Sequence, residues 1–420
     1  MKVLLLDQAF YPDVVSVAQH ASGLSRMLVA RGHEVTVVAS QRGYDDPSMR
    51  FHLRETWHGV QIVRVRCTGF GKGAKWRRAA DFATFLGSCC IQLMMLGRFD
   101  LVVSMTAPPL LSVPAALFAW LWGGRLVVWV MDLNPDEAIA VGWLRNGSLT
   151  AKFLEALLRF SLRRAENIVV LDRFMRDRVA QKGIAPEKVA VIPPWSHDKA
   201  VRYDPAGRQT FRKQHGLEGK YVVMYSGNHS PCHPLETLLE AAARLGGQPE
   251  IAFCFVGGGS EFGKVRRFAE ERSLRNIVCV PYQPLERLSA SLSAADLHVV
   301  VMGDALVGIV HPCKIYNILA LGIPFLYIGP EQSHVGEVLK LTREIQRTQR
   351  AFRHGEVDAL AQSILDWARR GPHRSDEATL LAGRYSEAVL AGGFVDLLEN
   401  VTVERDTKAT VPVNQVSTER

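Results

Sequence analysis

The sequence lacks the features that mark several classes of protein. Its seven cysteines are an odd number, and several lie inside apolar runs, which favours buried, reduced thiols over a disulfide framework. It has no RRM, KH, helix-turn-helix or zinc-finger signature, so nucleic acid is not an expected partner. Acidic residues are fewer than basic ones, 42 against 50, and the net charge of +8 favours anionic partners such as phosphates or an acidic membrane surface.

Apolar runs long enough to cross a bilayer are also missing. The most apolar stretch, TAPPLLSVPAALFAWLWGG (106–124), contains three prolines, falls short of the roughly 20 residues needed to span, and leads into a strand-like run. We therefore expect a buried helix of an α/β layer there. Met1 leads directly into KVLLLD, so we expect no signal peptide and a cytoplasmic location.

The sequence contains two series of short apolar runs that alternate with helix-length segments. A chain of 420 residues is too long to fold around one hydrophobic core, so we predict two domains. Each is expected to be a Rossmann-like α/β domain with a doubly wound parallel sheet, and the two are expected to face each other across a cleft. The predicted strands of the first series are 2–7, 34–40, 60–67, 100–105, 125–132, 167–172 and 188–193, with helices at 17–31, 109–122 and 149–165. Those of the second series are 221–227, 251–258, 276–282, 297–303 and 324–329.

The two series define the domain boundaries. We predict a first domain over 1–195, a polar linker with one short helix over 196–220, and a second domain over 221–375. Residues 376–402 are expected to form one or two last helices that pack back toward the first domain. The polar segment 403–420 is expected to be disordered.

Glycine-rich loops follow successive strands of the second domain. Gly227 and Asn228 end the run YVVMYSG, and Gly257 and Gly258 belong to FVGGG. Taken singly, each loop is explained by a turn that needs positive φ. Together with VPYQP and GIVHPCK they lie at the carboxyl ends of one parallel sheet, where they can converge on one ligand, so we predict a nucleotide pocket.

Polar residues follow the strand VVWVMD in the first domain. Asp132 ends that strand and faces the predicted cleft, whereas Asn134 before Pro135 fits a helix N-cap followed by proline at the first helical position. Histidines and cysteines on the loops of the second domain also suggest zinc, but their spacing matches no standard zinc pattern, so we expect pocket lining and no metal. These residues are His229, Cys232, His233, His311 and Cys313.

The segment 69–97 joins Lys72, Lys75, Arg77 and Arg78 to Trp76 and an apolar helical stretch. A basic, aromatic rim beside an apolar groove suits a lipid-phosphate acceptor at a membrane surface. A loop of solvated charges that leads to a core helix explains the same residues, and both interpretations stay open.

The order of these motifs resembles the family 4 glycosyltransferases of GT-B fold. The resemblance is carried by FYP, RGHEVTVV, MDLNPDE, KVAVIPP, YSGN, FVGGG, HPCKIYNILALGIP and HVGEVL, and extends to about residue 400. It is greatest to bacterial polysaccharide enzymes that add amino sugars to lipid-linked acceptors. It implies a retaining glycosyltransferase, peripheral at the cytoplasmic membrane face, that moves a sugar from a nucleoside diphosphate, UDP being favoured, to a lipid-linked or glycan acceptor without a cofactor.

The resemblance also implies roles for single residues. The first domain would be the acceptor side, with Asp132 against the donor sugar or the acceptor hydroxyl, and the second would bind the nucleotide sugar. There Tyr282 would flank the base, and Lys314 with the backbone N–H groups of Val310 and His311 would hold the diphosphate. Asn317 would contact the ribose. Glu337 matches a common family glutamate of the donor site, but an acidic residue in the first turn of a helix is equally explained by its favourable interaction with the helix dipole.

The sequence departs from the family at the diphosphate end of the site. Family members often carry glutamates where this chain has Ile309 and Asn317, and an Arg and a Lys where it has HSPCHP, with His229 and His233. An amide at 317 can still bond ribose hydroxyls, whereas the Ile309 side chain cannot bind a hydroxyl. A non-catalytic sugar-nucleotide-binding partner and a sugar-nucleotide epimerase of the same fold therefore stay as alternatives.

Overall fold

The computed structural model describes residues 1–44, 46–71, 74–196, 201–343 and 351–409. They form two α/β domains, each built around a mainly parallel sheet, which confirms the predicted fold class. Lys72 and residues 410–420 of the predicted tail lie outside the described residues.

The N-terminal sheet has eight strands in the order β3-β4-β2-β1-β5-β6-β7-β8. Its strands are β1 (Lys2–Leu6), β2 (Glu34–Ser40), β3 (Arg54–Trp57), β4 (Val60–Val65), β5 (Leu101–Ser104), β6 (Arg125–Trp129), β7 (Asn167–Val170) and β8 (Val189–Val191). The inner strands are almost wholly apolar because helices cover both faces of the sheet; in β1, Val3 to Leu6 have no exposed surface.

The C-terminal sheet has six parallel strands in the order β11-β10-β9-β12-β13-β14. Its strands are β9 (Tyr221–Asn228), β10 (Ile251–Gly258), β11 (Ile277–Val280), β12 (Leu297–Val301), β13 (Phe325–Ile328) and β14 (Ala351–Phe352). Chain order reverses between β9 and β12, and the loops after these strands open on one side of the sheet, where a ligand site is expected.

Helices alternate with the strands throughout. In the N-terminal domain they are α1 (Ser16–Ala30), α2 (Lys75–Met94), α3 (Ser112–Trp122), α4 (Asp136–Ala140), α5 (Leu149–Arg164) and α6 (Arg173–Gln181). In the remainder of the chain they are α7 (Pro205–Gln214), α8 (Glu236–Arg244), α9 (Phe262–Glu271), α10 (Leu285–Ser293), α11 (Lys314–Leu321), α12 (His334–Arg343), α13 (Val357–Arg370), α14 (Asp376–Ala382) and α15 (Glu387–Ala409).

The last helix crosses back to the N-terminal domain. On α15, Asp396 accepts a hydrogen bond from Arg31 at 2.8 Å, Glu399 accepts one from His33 at 2.8 Å, and Phe394 packs edge-on against Trp129. The helix runs to Ala409, so residues 403–409 are helical where the composition favoured disorder. These contacts bind the two ends of the chain to the same domain.

One expectation about burial is wrong. The stretch 106–124 contains the helix α3, but Leu117, Trp120 and Leu121 are 41%, 63% and 62% exposed on one side of it. The opposite side of α3 packs on the sheet and on α5, so the helix is buried on one face only. Within the described residues, no helix is both long and apolar enough to cross a bilayer.

Candidate active site

A cleft of about 710 Å³ lies between the two sheets, at the carboxyl ends of strands from both domains. Most of the residues that the sequence singled out line this cleft. They are Asp132, Gly227, Asn228, Gly257, Tyr282, His311, Lys314 and Asn317. Gly258, Val310 and Glu337 do not line it.

Lys314, the first residue of α11, extends its ammonium group into the C-terminal side of the cleft. Its Nζ is buried and has no hydrogen-bond partner among the described residues. The nitrogen lies 3.6 Å from the centroid of the Tyr225 ring, a cation–π contact that partly offsets its lost hydration. A buried, unpartnered ammonium is costly, and an anion bound in the cleft would remove that cost.

Burial lowers the pKa of Lys314 from 10.5 to about 7. Two neighbouring histidines carry little charge near neutral pH. Burial, and next the charge of Lys314, lower the pKa of His229 to about 4 and that of His233 to about 3. On this side of the cleft, Lys314 can therefore supply the positive charge that an anionic ligand requires.

Glycines keep this side of the cleft open to backbone approach. Gly227 has φ 131°, and a Cβ there would lie 3.0 Å from Lys314 Nζ. A Cβ on Gly257 would lie 2.0 Å from the Gly227 carbonyl oxygen, and one on Gly258 would lie 2.9 Å from the Tyr282 ring. Gly258 thus supports Tyr282 from behind, and Gly257 excludes a side chain for reasons of space. Gly227 and Gly257 also have φ values of 131° and 135°, which L side chains rarely adopt.

Asp132 lies on the opposite, N-terminal side of the cleft and is half-buried. Its backbone N–H donates to Thr106 Oγ1 at 3.2 Å, which fixes the loop after β6. Burial, with a smaller contribution from the charge of Glu137, raises the pKa of Asp132 to about 7, although the charge of Arg78 opposes the shift. The carboxyl group therefore titrates near neutral pH, as suits a group that exchanges hydrogen bonds with hydroxyls.

Asn134 is not an N-cap, which corrects the sequence interpretation. The helix α4 begins at Asp136, after Pro135, and has no side-chain cap. Asn134 instead donates from its side-chain amide to Glu137 Oε2 at 2.8 Å. Pro312 lies two residues before α11, which begins at Lys314 with Cys313 as its N-cap residue.

His311 belongs to a buried cluster that joins the two domains. Its Nδ1 donates to Asp172 Oδ2 of the N-terminal domain at 2.8 Å, and its Nε2 bonds the Tyr316 hydroxyl at 2.7 Å. The ring stacks on His334, with centroids 3.6 Å apart. Burial alone would raise the pKa of Asp172, but the His311 hydrogen bond and the charges of both histidines outweigh it and lower the pKa to about 2. We call Asp172, His311, Tyr316 and His334 the interdomain cluster.

Further contacts across the interface place the other predicted residues. The Ile309 carbonyl accepts from the Leu133 amide at 2.9 Å, and the Ile309 side chain is in the core. The Val310 amide donates to the Leu306 carbonyl at 3.2 Å, so the expectation that it holds a phosphate is not supported by this geometry. Glu337 pairs with Arg173 of the N-terminal domain, outside the cleft, rather than facing a ligand within it.

The five His and Cys residues considered for zinc do not converge. His229 and His233 bond backbone carbonyls at 3.0 and 2.8 Å, and Cys232 donates to Glu137. Among the described residues, the grouping with metal-ligand spacing is instead Asp172, His311 and His334. Its two imidazoles are stacked at an interplanar angle of 16°, and their Nδ1 atoms lie 2.8 Å (His311) and 3.5 Å (His334) from the same Asp172 oxygen, Oδ2.

Two residues of this site are not predicted by the sequence analysis. Tyr225 lies inside the predicted strand 221–227, and Asp172 ends the predicted strand 167–172. The run NIVVLD did contain a signal, because an aspartate at the carboxyl end of a parallel strand lies at the edge where ligands and interdomain contacts form. Nothing in the local sequence pairs Asp172 with His311, which is 139 positions away.

A cleft between two Rossmann-like domains is the architecture of the GT-B glycosyltransferases. Residues 16–195 match the family described as Glycosyl transferase 4-like domain, and residues 207–376 match Glycosyl transferases group 1. The chain belongs to the family 4 glycosyltransferases of GT-B fold and is an enzyme that transfers a sugar.

Named relatives and solved structures agree with this assignment. The chain is 28% identical over 342 residues to WcaI of Escherichia coli (strain K12), named for glycosyl transfer in colanic acid biosynthesis, with 77% of this chain and 82% of WcaI covered. In fold it is similar to Anabaena HepE in complex with UDP and glucose, with TM-score 0.70, 14% identity, and 95% and 100% of the two chains covered. It is also similar to WaaG, a glycosyltransferase involved in lipopolysaccharide biosynthesis, with TM-score 0.68, 15% identity, and 94% and 99% covered.

Proposed function

We propose that the protein transfers a sugar from a UDP-sugar to a lipid-linked or polysaccharide acceptor, with retention of the anomeric configuration. The observation that carries the proposal is the Lys314 ammonium, which is buried in the interdomain cleft and has no hydrogen-bond partner in the described part of the chain. A diphosphate supplies the charge that this nitrogen lacks. UDP is favoured because HepE, which shares the fold, is described in complex with UDP and glucose.

The donor lies against the C-terminal wall in this proposal. Lys314 and the His311 backbone amide hold the diphosphate, Asn317 contacts the ribose, and Tyr282 flanks the base. The glycines at 227 and 257 carry no side chain between the backbone and the phosphates, and their φ values of 131° and 135° are ones that L side chains rarely adopt. Glu337 and Val310 have no part in donor binding, since both are engaged elsewhere.

The chemistry needs charge stabilisation more than a side-chain base. The bond between the anomeric carbon and the diphosphate oxygen breaks, and negative charge develops beside Lys314. The acceptor oxygen bonds the same carbon from the same face, and its proton passes to the departing phosphate oxygen, so UDP leaves and configuration is kept. Asp132, with a pKa of about 7, bonds a hydroxyl of the donor sugar or the acceptor across the cleft.

The acceptor approaches from the N-terminal side, where Arg78 and Trp143 border the cleft. The Arg78 guanidinium lies 5.3 Å from the Trp143 ring, and the exposed Trp76 ring lies 5.5 Å from the Arg77 guanidinium. Cations beside aromatic rings at the mouth of the cleft suit a phosphate-bearing lipid acceptor at the inner membrane face. The names of WcaI and WaaG support an acceptor from polysaccharide or lipopolysaccharide assembly.

The variant Lys314→Met tests the proposal, with Lys340→Met, an exposed position on α12, as its matched control. UDP binding is measured by calorimetry, and transfer from UDP-glucose, UDP-galactose and UDP-N-acetylglucosamine is measured by UDP release with lipid-linked acceptors. We expect Lys314→Met to lower kcat/KM by about 10²–10³, typical of removing one donor of charge stabilisation, while Lys340→Met is unchanged.

The readouts separate the proposal from its alternatives. Lys314→Met should unfold at the same temperature or higher, because it replaces an unpartnered buried charge by an apolar side chain. Proton NMR of the product gives the anomeric configuration. UDP binding by the parent without turnover on any donor and acceptor pair would favour a binding partner, epimerised donor would favour an epimerase, and an inverted product would exclude retention.

A further inference from the structure

The outer surface of α3 and α5 exposes an unusual amount of apolar area. On α3, Leu117, Trp120 and Leu121 project to one side; on α5, Phe153 and Phe160 are 62% and 36% exposed. We call these five residues the outer apolar face. Soluble monomers seldom expose large apolar side chains in one contiguous patch, and such patches mark interaction surfaces.

The two helices pack against each other beneath the outer apolar face. The hydroxyls of Ser112 on α3 and Ser161 on α5 are hydrogen-bonded at 2.7 Å in the buried layer. Above them, the Arg164 guanidinium lies 5.3 Å from the centroid of the Trp120 ring and 5.5 Å from that of Phe160. Arg164 therefore lies between aromatic rings of both helices, and its cation belongs to the face.

The exposed charges on the two helices have one sign, and the exposed Glu166 follows α5. The helix α3 has no charged residue, and the exposed charges on α5 are those of Lys152, Arg163 and Arg164. The carboxylate of α5, Glu155, is engaged by Lys182 Nζ at 2.9 Å. An apolar face bordered by cations complements a bilayer that contains anionic lipid, since rings enter the headgroup region while arginines bond phosphates.

The face also continues toward the cleft. Leu154 lines the cleft, and its neighbour Phe153 belongs to the outer apolar face. On the other side of α3, the helix α2 packs alongside and presents Trp76 and Arg77 near the cleft mouth. A bilayer on this face therefore lies next to the opening through which a lipid-linked acceptor enters.

We propose that the outer apolar face docks on the surface of an anionic lipid bilayer. This inference extends the membrane contact proposed above to a named surface, and it holds whether or not the proposed transfer reaction is right. The five residues insert as a shallow wedge, and Arg163, Arg164 and Lys152 bind lipid phosphates around it. In this arrangement no helix of the described residues crosses the bilayer.

The double variant Trp120→Gln/Phe153→Gln tests the surface, because both side chains are exposed and removing them leaves the core intact. Binding is measured by flotation with vesicles of phosphatidylcholine alone and of phosphatidylcholine with phosphatidylglycerol. The matched control is Leu380→Gln, at a residue 78% exposed on α14. We expect the parent and control to float with anionic vesicles, the double variant to bind at least about tenfold more weakly, and Arg164→Gln about fivefold more weakly.

Three results would overturn the inference. They are a parent that fails to float with anionic vesicles, a double variant that floats as well as the control, and a double variant that converts a dimer into a monomer with vesicle binding unchanged. The last result would assign the face to a second copy of this chain. The double variant should bind UDP like the parent, and Lys314→Met should float with anionic vesicles like the parent. A failure of the proposed docking surface can thus be distinguished from a failure of the proposed transfer site.

Discussion

His311 and Lys314 lie on one loop at the start of α11, yet they have opposite surroundings. Both ring nitrogens of His311 are hydrogen-bonded, one of them to Asp172 of the other domain. Lys314 Nζ is equally buried but has no hydrogen-bond partner among the described residues. The same short segment therefore holds the domains together at one position and keeps an unsatisfied charge at another.

The difference indicates which polar groups serve the fold and which serve a ligand. A buried group with its partners in place stabilises the protein or is neutral, whereas a buried ammonium without one destabilises it. A buried ammonium is nevertheless expected where a bound anion pairs with it, and the cleft in front of Lys314 is large enough to hold an anionic ligand. The interdomain cluster, in turn, fixes the loop and so fixes where Lys314 points.

Removing the charge from the interdomain cluster should have the largest effect on stability. Asp172 also caps α6, accepting from the Met175 amide at 2.8 Å, and asparagine keeps that cap. In Asp172→Asn the His311 hydrogen bond loses its charged acceptor, so we expect a loss of about 1–3 kcal/mol in the free energy of unfolding, measured by urea denaturation. The control Asp204→Asn keeps the equivalent cap of α7, where Asp204 accepts from the Gly207 amide. Equal stability of Asp172→Asn and the control would show that the cluster does not hold the domains together.

The pH dependence of sugar transfer should show whether the reaction requires the positive charge of Lys314. Its pKa is about 7 in the free protein, so the ammonium is present below that pH and is lost above it. We expect kcat/KM for the donor to fall toward tenfold per pH unit above about pH 7. Lys314→Arg should move this decrease to higher pH, because arginine stays charged.

Asp132 is the competing explanation for the same pH profile, since its pKa is also about 7. It becomes a carboxylate as the pH rises, so its titration has to be separated from that of Lys314. Asp132→Asn should leave the decrease above pH 7 in place. A profile that flattens in Asp132→Asn and persists in Lys314→Arg would assign the titration to Asp132 instead.

The exposed ion pair between the domains should matter least. The side chains of Arg173 and Glu337 are 54% and 41% exposed, and such pairs contribute about 0.2–1 kcal/mol. Arg173→Ala should therefore lower unfolding stability by less than Asp172→Asn and leave UDP affinity unchanged by calorimetry. A large loss of UDP affinity in this variant would indicate that Glu337 contributes to donor binding.

Much of the fold could be predicted from apolar periodicity. The predicted strand 221–227 is β9, Tyr221–Asn228, and the predicted helix 149–165 is α5, Leu149–Arg164, because both carry regular patterns of burial. The strand β3 was missed because its sequence, RETW, is polar and no residue in it is fully buried. As an antiparallel edge strand it needs only the β4 backbone beside it.

The position of the site could be predicted from the sequence, but the contacts between its side chains could not. Gly227 and Gly257 lie at the carboxyl ends of β9 and β10, and Lys314 begins the helix α11. The rule that ligands bind at the carboxyl ends of parallel strands predicts that all three lie near one site. Glu337 and Val310 were assigned from resemblance, and their contacts in the fold engage them elsewhere. The apolar residues of α3 suggested burial, but hydrophobicity alone does not say whether a face meets the sheet or the surface.

The sequence by itself therefore determined two parallel α/β domains, the edge on which their cleft lies and the loop that carries Lys314, because these follow from local periodicity and from the geometry of parallel sheets. Only the tertiary structure decided that His311 is paired and Lys314 is not, and that Trp120 faces outward. Those outcomes depend on partners such as Asp172 and Arg164, which distant parts of the chain bring together.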